Sequence, residues 1–164
     1  MLAGLIEVRY QGIVRASGGM ALFVIVWFSQ PLIAKNVVNI VPPSEPAAPV
    51  ALAFLDALDE KNPILAYSMI GKAGRDTFSP DITDFQTLFN NVRLPVGKSL
   101  GRTLVNMNSL QSPSGYPIGL YDLLTYRTRF STTECRLEAV ALRASDKIRW
   151  EVFTYQISPP TPCT

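Results

Sequence analysis

Histidine is absent from the 164-residue chain. Its absence excludes Ser-His-Asp and Cys-His catalysis, histidine-ligated metals and any pH switch built on imidazole. Charge is also scarce, since Asp, Glu, Lys and Arg make up only 17% of the residues. The 15 basic and 13 acidic residues leave a net charge of +2, which excludes the strongly basic surface of a typical nucleic-acid-binding domain. The length fits one domain and an appendage.

A long run near the amino terminus carries no charge between Arg15 and Lys35. Residues 16–34 would span about 28 Å as a helix, close to the thickness of the hydrocarbon core of a bilayer. The candidate membrane-anchoring side chains are Met20, Phe23, Trp27 and Phe28. The sequence therefore predicts a transmembrane helix over residues 16–34.

Two other interpretations of this run are open. A cleavable signal peptide also places basic residues, here Arg9 and Arg15, before an apolar core that ends in a small residue, here Ala34. The leader before the apolar core is longer than usual for a signal peptide, which favours an uncleaved anchor. A buried core helix is favoured less, because the run is apolar on all sides and a proline-rich segment follows it.

The flanking charges predict the orientation of the anchor. Arg9 and Arg15 precede it, whereas Lys35 alone follows it closely. Basic residues tend to stay on the cytoplasmic side, so residues 1–15 are expected in the cytoplasm and the carboxyl-terminal domain outside it. Residues 35–49 form a proline-rich linker, which favours a semi-rigid spacer over a PxxP ligand because basic residues do not flank the prolines.

Helical and strand patterns divide the following domain. Apolar periodicity predicts helices over residues 50–58, 64–72 and 82–91, the second ending at Gly71 or Gly74. Candidate N-caps for the third helix are Ser79, Asp81 and Thr83. Alternation predicts four antiparallel strands over residues 100–107, 120–130, 134–143 and 147–157. This order indicates a two-layer α+β domain, with three helices on one face of a curved four-stranded sheet.

Four short motifs in this domain carry a resemblance to a known family. They are FLDALD at residues 54–59, FQTLFNNVRLPVG at residues 85–97, Arg102, and IRWEVFTYQI at residues 148–157. The most specific cluster comprises Arg93, Pro95, Gly97 and Arg102. Together the motifs resemble a bacterial family known only as a domain of unknown function, over about residues 50–158.

The resemblance implies a cone-shaped fold of the cystatin-like or nuclear-transport-factor-2-like kind and an extracytoplasmic location behind a signal peptide or anchor. It supplies no catalytic residues, because the family has none established. Combined with the flanking charges, it predicts an anchor in the inner membrane and a periplasmic domain over residues 50–158. A short tail over residues 159–164 completes the chain.

The chain has two cysteines, Cys135 and Cys163. In an oxidising compartment they could form a disulfide that pins the tail to the third strand. The alternative is a buried thiol at Cys135 and an exposed thiol at Cys163, because sequence alone does not bring the two Cα atoms within bonding distance. Two cysteines without histidine do not predict a metal site.

Charged residues alternate along the predicted strands. Arg127 and Arg129 share one face of their strand, and Glu134, Arg136 and Glu138 share a face of the next. We expect these residues to form cross-strand ion pairs on the solvent side of the sheet, in preference to an anion-binding surface. The two glutamates are then neutralised and do not form an acid/base pair.

Two further groups are candidates for a site. Arg93 and Arg102 could bind an anion at a pocket mouth or tie the third helix to the first strand, and the tie is favoured. Six aromatic side chains could line a pocket between helices and sheet, although their spacing favours plain core. These are Tyr67, Phe85, Phe89, Tyr126, Trp150 and Tyr155.

The sequence thus predicts a non-enzymatic, single-pass membrane protein without catalytic, cofactor-binding or metal-binding residues. It is expected to be an accessory or stabilising subunit of a larger respiratory, photosynthetic or transport complex. Its expected partners are the lipid bilayer and integral subunits of that complex, and not nucleic acid or metal. The alternative is a periplasmic small-ligand-binding protein or an enzyme that uses the pocket of the cone.

Overall fold

The computed structural model describes residues 42–78, 81–132, 134–145 and 149–163. The predicted cytoplasmic segment, the transmembrane helix over residues 16–34 and residues 35–41 of the linker lie outside these residues. None of the helices in the described part of the chain is long and apolar enough to cross a bilayer. The anchor therefore stays a prediction from the sequence.

Helices occupy the first half of the described domain. The α-helices are α1 (Ala47–Asp59), α2 (Pro63–Ser68), α3 (Lys72–Phe78) and α4 (Ile82–Leu88). A π-helical turn over Phe89–Arg93 and a 3-10 turn over Leu94–Val96 follow α4 without a break. Asp81 caps α4, because its Oδ1 accepts hydrogen bonds from the N–H groups of Thr83 (2.5 Å) and Asp84 (3.2 Å). These two bonds lower the pKa of Asp81.

Four strands form the second half. They are β1 (Ser99–Gln111), β2 (Leu120–Phe130), β3 (Cys135–Ala144) and β4 (Trp150–Ile157). The strands make one antiparallel sheet in the order β1-β2-β3-β4, so that each strand pairs with its neighbours in sequence. The predicted α+β class and the four-stranded antiparallel sheet are confirmed, with four α-helices where the periodicity predicts three.

The additional helix is α3, which begins at Lys72, where the predicted second helix was to end, while α2 already ends at Ser68. Between α2 and α3 the backbone pairs with β4: the N–H of Val152 donates to the carbonyl of Met69 (3.0 Å), and the N–H of Gly71 donates to the carbonyl of Val152 (2.9 Å). Backbone groups bound to a strand cannot also continue a helix. Gly74, predicted as a helix end, instead lies within α3 and packs so closely that a Cβ there would overlap the carbonyl oxygen of Phe153.

The core lies between α1 and strands β2 to β4. Phe54 of α1 is fully buried, and its ring centroid lies 5.6 Å from that of Tyr155 and 6.4 Å from that of Phe85. Four of the six aromatic residues singled out in the sequence are buried in this core, and the other two, Tyr67 and Tyr155, pack against it. These rings therefore fill the space between helices and sheet.

The end of the predicted linker belongs to this folded unit. Pro43 is buried, and the indole N–H of Trp150 donates to the backbone carbonyl of Glu45 (2.8 Å). α1 begins at Ala47, three residues before the predicted start of the domain. The linker therefore joins the domain earlier than its proline content suggests.

Candidate functional site

Arg93 and Arg102 meet in a buried network of ion pairs. Arg93 ends the π-helical turn and is 3% exposed, whereas Arg102 lies near the start of β1. Both guanidinium groups contact Glu138 of β3, which is 0% exposed: Arg93 Nε lies 3.3 Å from Oε1, and Arg102 Nε lies 3.1 Å from Oε2. Both also contact Asp59 at the end of α1, Arg102 Nη2 at 2.6 Å. The two arginines thus connect the helices to the first and third strands.

Neutral donors complete the coordination of the buried carboxylates. Glu138 accepts hydrogen bonds from the hydroxyl groups of Tyr155 (2.8 Å) and Thr128 (2.5 Å), one on each oxygen. Asp59 accepts a further bond from the N–H of Ser99 (3.3 Å). Two arginines thus face two carboxylates, and each carboxylate oxygen has a donor. Such pairing offsets the large free-energy cost of removing charges from water.

The network shifts the pKa of two of its members. Burial alone would lower the pKa of Arg102, but the negative charges of Glu138 and Asp59 outweigh it, and the pKa is raised. Burial, reinforced by the charge of Glu138, raises the pKa of Tyr155 well above its usual value. The tyrosine therefore stays protonated and donates to Glu138. An external anion could reach either arginine only by displacing a carboxylate.

The prediction that Glu138 lies on the solvent side of the sheet is wrong. Glu138 stands opposite Tyr126 in the β2–β3 register and shares its face with the buried Val140 and Leu142. Arg127 and Arg129, its predicted partners, are exposed on the other face of β2. Strand alternation shows which residues share a face, but not which face is covered. In the sequence, the apolar residues Val140 and Leu142 on the same face of β3 indicate that this face is the buried one.

Glu134 and Arg136 pair with each other. Arg136 Nη2 lies 2.8 Å from Glu134 Oε2, and both side chains are partly exposed. This pair joins neighbours in sequence and does not cross to β2. Its contribution to stability is expected to be at most about 1 kcal/mol.

Strand β1 is uncovered over most of its length. All nine residues from Thr103 to Gln111 are exposed, on both faces of the sheet, and none carries a charge. α1 packs on β2, β3 and β4, and α3 packs on β4. The large apolar side chains exposed on β1 are Leu100, Leu104, Val105, Met107 and Leu110.

The outer edge of β1 is not paired with any strand that the structure describes. Within the described residues β1 pairs with β2 alone, and it contains neither proline nor lysine, two residues that commonly protect the edge of a sheet. A bulge at Val105 is the one irregularity in the uncovered part, because Leu104 pairs with Tyr126 and Asn106 with Thr125. At the other edge, β4 is already engaged at Val152 by the segment between α2 and α3. The pattern of residues along the two edge strands does not predict this difference.

Two crevices lie elsewhere on the domain. One, of about 50 Å³, is bounded by α3, α4 and β4 and has room for a few water molecules. The other, of about 380 Å³, runs beside Trp150 and is lined by three cationic side chains. Each of these cations already has a partner. Lys72 Nζ lies 2.5 Å from Asp76, Arg149 Nη2 lies 3.1 Å from Glu151, and Arg75 lies over the Tyr67 ring.

Cys135 and Cys163 form a disulfide, with their Cα atoms 5.1 Å apart. The N–H of Thr161 donates to the carbonyl of Cys135 (2.7 Å), so the tail also pairs with the start of β3 through its backbone. Arg136 adds a hydrogen bond to the carbonyl of Ser158 (3.2 Å). The tail is therefore held along β3 by one covalent link and several hydrogen bonds.

Comparison with known proteins gives one match. No curated protein and no solved structure matches the chain significantly. Residues 50–155 match the family described as "Protein of unknown function (DUF4019)". The matched segment includes β1 and all four members of the network: Asp59, Arg93, Arg102 and Glu138. Because the match covers more than half of the chain, the protein belongs to this family of unknown function.

Proposed function

We propose that the protein is a membrane-anchored accessory subunit whose domain binds another protein through strand β1. The observation that carries the proposal is the uncovered strand itself: nine exposed, uncharged residues on a strand whose outer edge pairs with no other strand in the described part of the chain. A strand with such an edge is a ready template for pairing with a further strand. The proposal concerns attachment and assigns no chemistry to the domain.

The exposed side chains supply a driving force for this attachment. Leu104, Val105, Met107 and Leu110 are all exposed, and covering each would contribute roughly 1 kcal/mol, about half the value for full burial of such a side chain. Backbone hydrogen bonds along the edge would fix the direction and register of the bound strand.

The buried network supports the same proposal, because it fixes the strand that binds. Arg102 bonds to Glu138 and Asp59, which ties the start of β1 to β3 and α1. Pairing with β2 continues from Gly101 to Gln111. A strand held in advance loses little conformational freedom when it binds, which favours affinity.

The location is part of the proposal. The uncharged run over residues 16–34 supports a single-pass anchor in the inner membrane of a bacterium, with the domain in the periplasm. The disulfide between Cys135 and Cys163 fits an oxidising compartment. Helices followed by four antiparallel strands also fit the cystatin-like or nuclear-transport-factor-2-like cone that the sequence resemblance implies.

The alternative function, a ligand binder or enzyme that uses the pocket of the cone, has less support. Phe54, Phe85 and Tyr155 fill the space between α1 and the sheet. The larger crevice is lined by cations that already have partners. Neither observation points to a substrate, whereas the exposed strand points to a protein.

Photo-crosslinking in intact membranes tests the proposal. A photoreactive amino acid replaces Met107 on β1 in the full-length protein, and in a matched control it replaces Ile64, which is 65% exposed at the start of α2. We expect a discrete crosslinked product from position 107 and none above background from position 64. Equal crosslinking at the two positions would show that β1 is not a binding strand. Alkaline extraction of the same membranes tests the anchor, because an anchored chain stays in the pellet.

A further inference from the structure

We infer that the protein bound to β1 is a second copy of this chain, joined edge to edge with the first as an antiparallel two-fold pair. The inference rests on the proposed function, in which β1 is a protein-binding strand, and it names the partner. Pairing of the two β1 strands would convert two four-stranded sheets into one continuous sheet of eight.

The difference between the two edges of the sheet favours an assembly that stops at two copies. No described strand pairs with the outer edge of β1, whereas β4 is engaged at Val152 by backbone hydrogen bonds with Met69 and Gly71. When two copies join through β1, each pairs with the β1 edge of the other, so the contact uses both β1 edges and offers neither to a third copy. Such an isologous contact stops at two copies, whereas a contact between different edges would grow into a chain.

The composition of β1 fits pairing with itself. A strand that faces its own copy places each charge near the same charge, which is destabilising. Residues 103–111 carry no charge, so this repulsion does not arise. Their polar side chains are amides and hydroxyls, which both donate and accept hydrogen bonds and therefore suit an identical partner. An edge adapted to a charged partner would carry complementary charges.

Strand geometry restricts where the two-fold axis lies. The axis is perpendicular to the sheet, so residues that stand opposite each other share a face only when one residue stands opposite its own copy. An axis level with the midpoint of two consecutive residues would instead pair residues from opposite faces. The bulge at Val105 interrupts the alternation, so the regular uncovered stretch begins at Asn106 and continues to Gln111. We place the axis within the first five residues of this stretch, 106–110, whose central residue is Asn108. With the axis at Asn108, Met107 faces Ser109 of the second copy.

A scan of single cysteines tests the pairing directly. Only the residue on the axis lies opposite its own copy, with Cα atoms about 5 Å apart, within the range for a disulfide. Its neighbours lie about 8 Å from their copies, outside that range. Each of residues 106–110 is replaced in turn by cysteine in the full-length protein in mild detergent, with Ile64→Cys as the exposed control off the strand. Under mild oxidation we expect one position to give disulfide-linked dimer at least about fivefold above its neighbours and the control.

The mass of the purified protein is the second measurement. The protein part of the particle is expected to be twice 18.1 kDa. Met107→Lys places two lysines near the axis and is expected to restore the single-chain mass, whereas Ile64→Lys is not. Both positions are exposed, so both variants should fold, which circular dichroism checks.

The outcomes separate this inference from the proposed function. A single-chain mass with no crosslinking peak overturns the second copy as partner. If position 107 then still captures a different protein in membranes, the proposed function stands and only the inference fails. If position 107 captures nothing, both fail.

Discussion

Strands β1 and β2 are neighbours of similar length, 13 and 11 residues, yet they lie in different environments. In β2 only Arg127 and Arg129 are exposed, whereas in β1 every residue from Thr103 onward is exposed. The hydrogen-bonded ladder between them is continuous apart from its bulges, so pairing alone does not bury a strand. The helices cover β2 to β4 and contact β1 mainly at Arg102, through the buried network. Covered strands of this sheet therefore supply stability, and the uncovered strand is the surface for which we propose a binding role.

Removal of one member of the buried network is expected to have the largest effect on the covered side. Glu138→Ala leaves Arg93 and Arg102 without their fully buried partner, and should lower the free energy of unfolding by about 3–5 kcal/mol. Denaturant titration measures this value. Glu134→Ala, in a partly exposed pair, is the control and should cost less than about 1 kcal/mol. Similar losses in the two variants would mean that the network is not a structural tie.

A pair of directly opposed residues tests the contrast between the exposed strand β1 and the buried strand β2. Met107 and Leu124 face each other across β1 and β2, but Met107 is 47% exposed and Leu124 is 0% exposed. Leu124→Ala should lower the free energy of unfolding by about 2–5 kcal/mol, because it leaves a cavity. Met107→Ala should change it by less than about 0.5 kcal/mol when measured at low protein concentration, where β1 is uncovered. A large loss from Met107→Ala under those conditions would contradict the exposure of β1.

Loss of the disulfide is expected to weaken the covered part of the sheet at the start of β3. Cys163→Ser releases the tail and should lower the free energy of unfolding by about 3.5 kcal/mol, the value expected for a closed loop of this size. Thermal unfolding with and without a reducing agent measures the effect. The wild-type protein should lose stability on reduction, whereas the variant should be indifferent to it. A wild type that is insensitive to reduction would show that the cysteines are not paired.

The smallest expected effect is a pH dependence from Tyr155. Folding raises the pKa of Tyr155 above its unfolded value of about 10, so the stability it contributes is full below pH 10 and is lost as the pH rises further. Tyr155→Phe should cost about 1–2 kcal/mol at neutral pH, because Glu138 loses a donor. The variant should also lose less stability between pH 9 and 11 than the wild type. A residual dependence is expected, because burial also raises the pKa of Tyr121 and Tyr126.

Local patterns in the sequence predicted the elements of this domain better than their surroundings. Asp81, the cap of α4, was one of three candidate caps, and the bounds of β2 followed from neighbouring residues. The break between α2 and α3 did not, because it depends on pairing with Val152, which lies far along the chain. The burial of Glu138 and the exposure of β1 depend in the same way on which strands the helices cover. Contacts between distant segments decide such features, and short-range periodicity does not record them.

The same limit applied to the candidate site. Arg93 and Arg102 stood out as a motif, and a tie between helix and strand was the favoured interpretation of them. Their partners, Asp59 and Glu138, were not identified, because one lies at a helix end and the other on a strand assigned to the wrong face. The exposure of β1 was missed because an exposed strand and a buried strand can have similar composition.

The buried network also constrains how this chain can diverge. A change at any one of Asp59, Arg93, Arg102 or Glu138 upsets the balance of two positive and two negative charges in the interior, so single substitutions there should be rarely inherited. Homologous chains should therefore keep all four residues or replace several together. Homologues in which several of these four residues are replaced together should join their helices to the sheet by a different set of contacts.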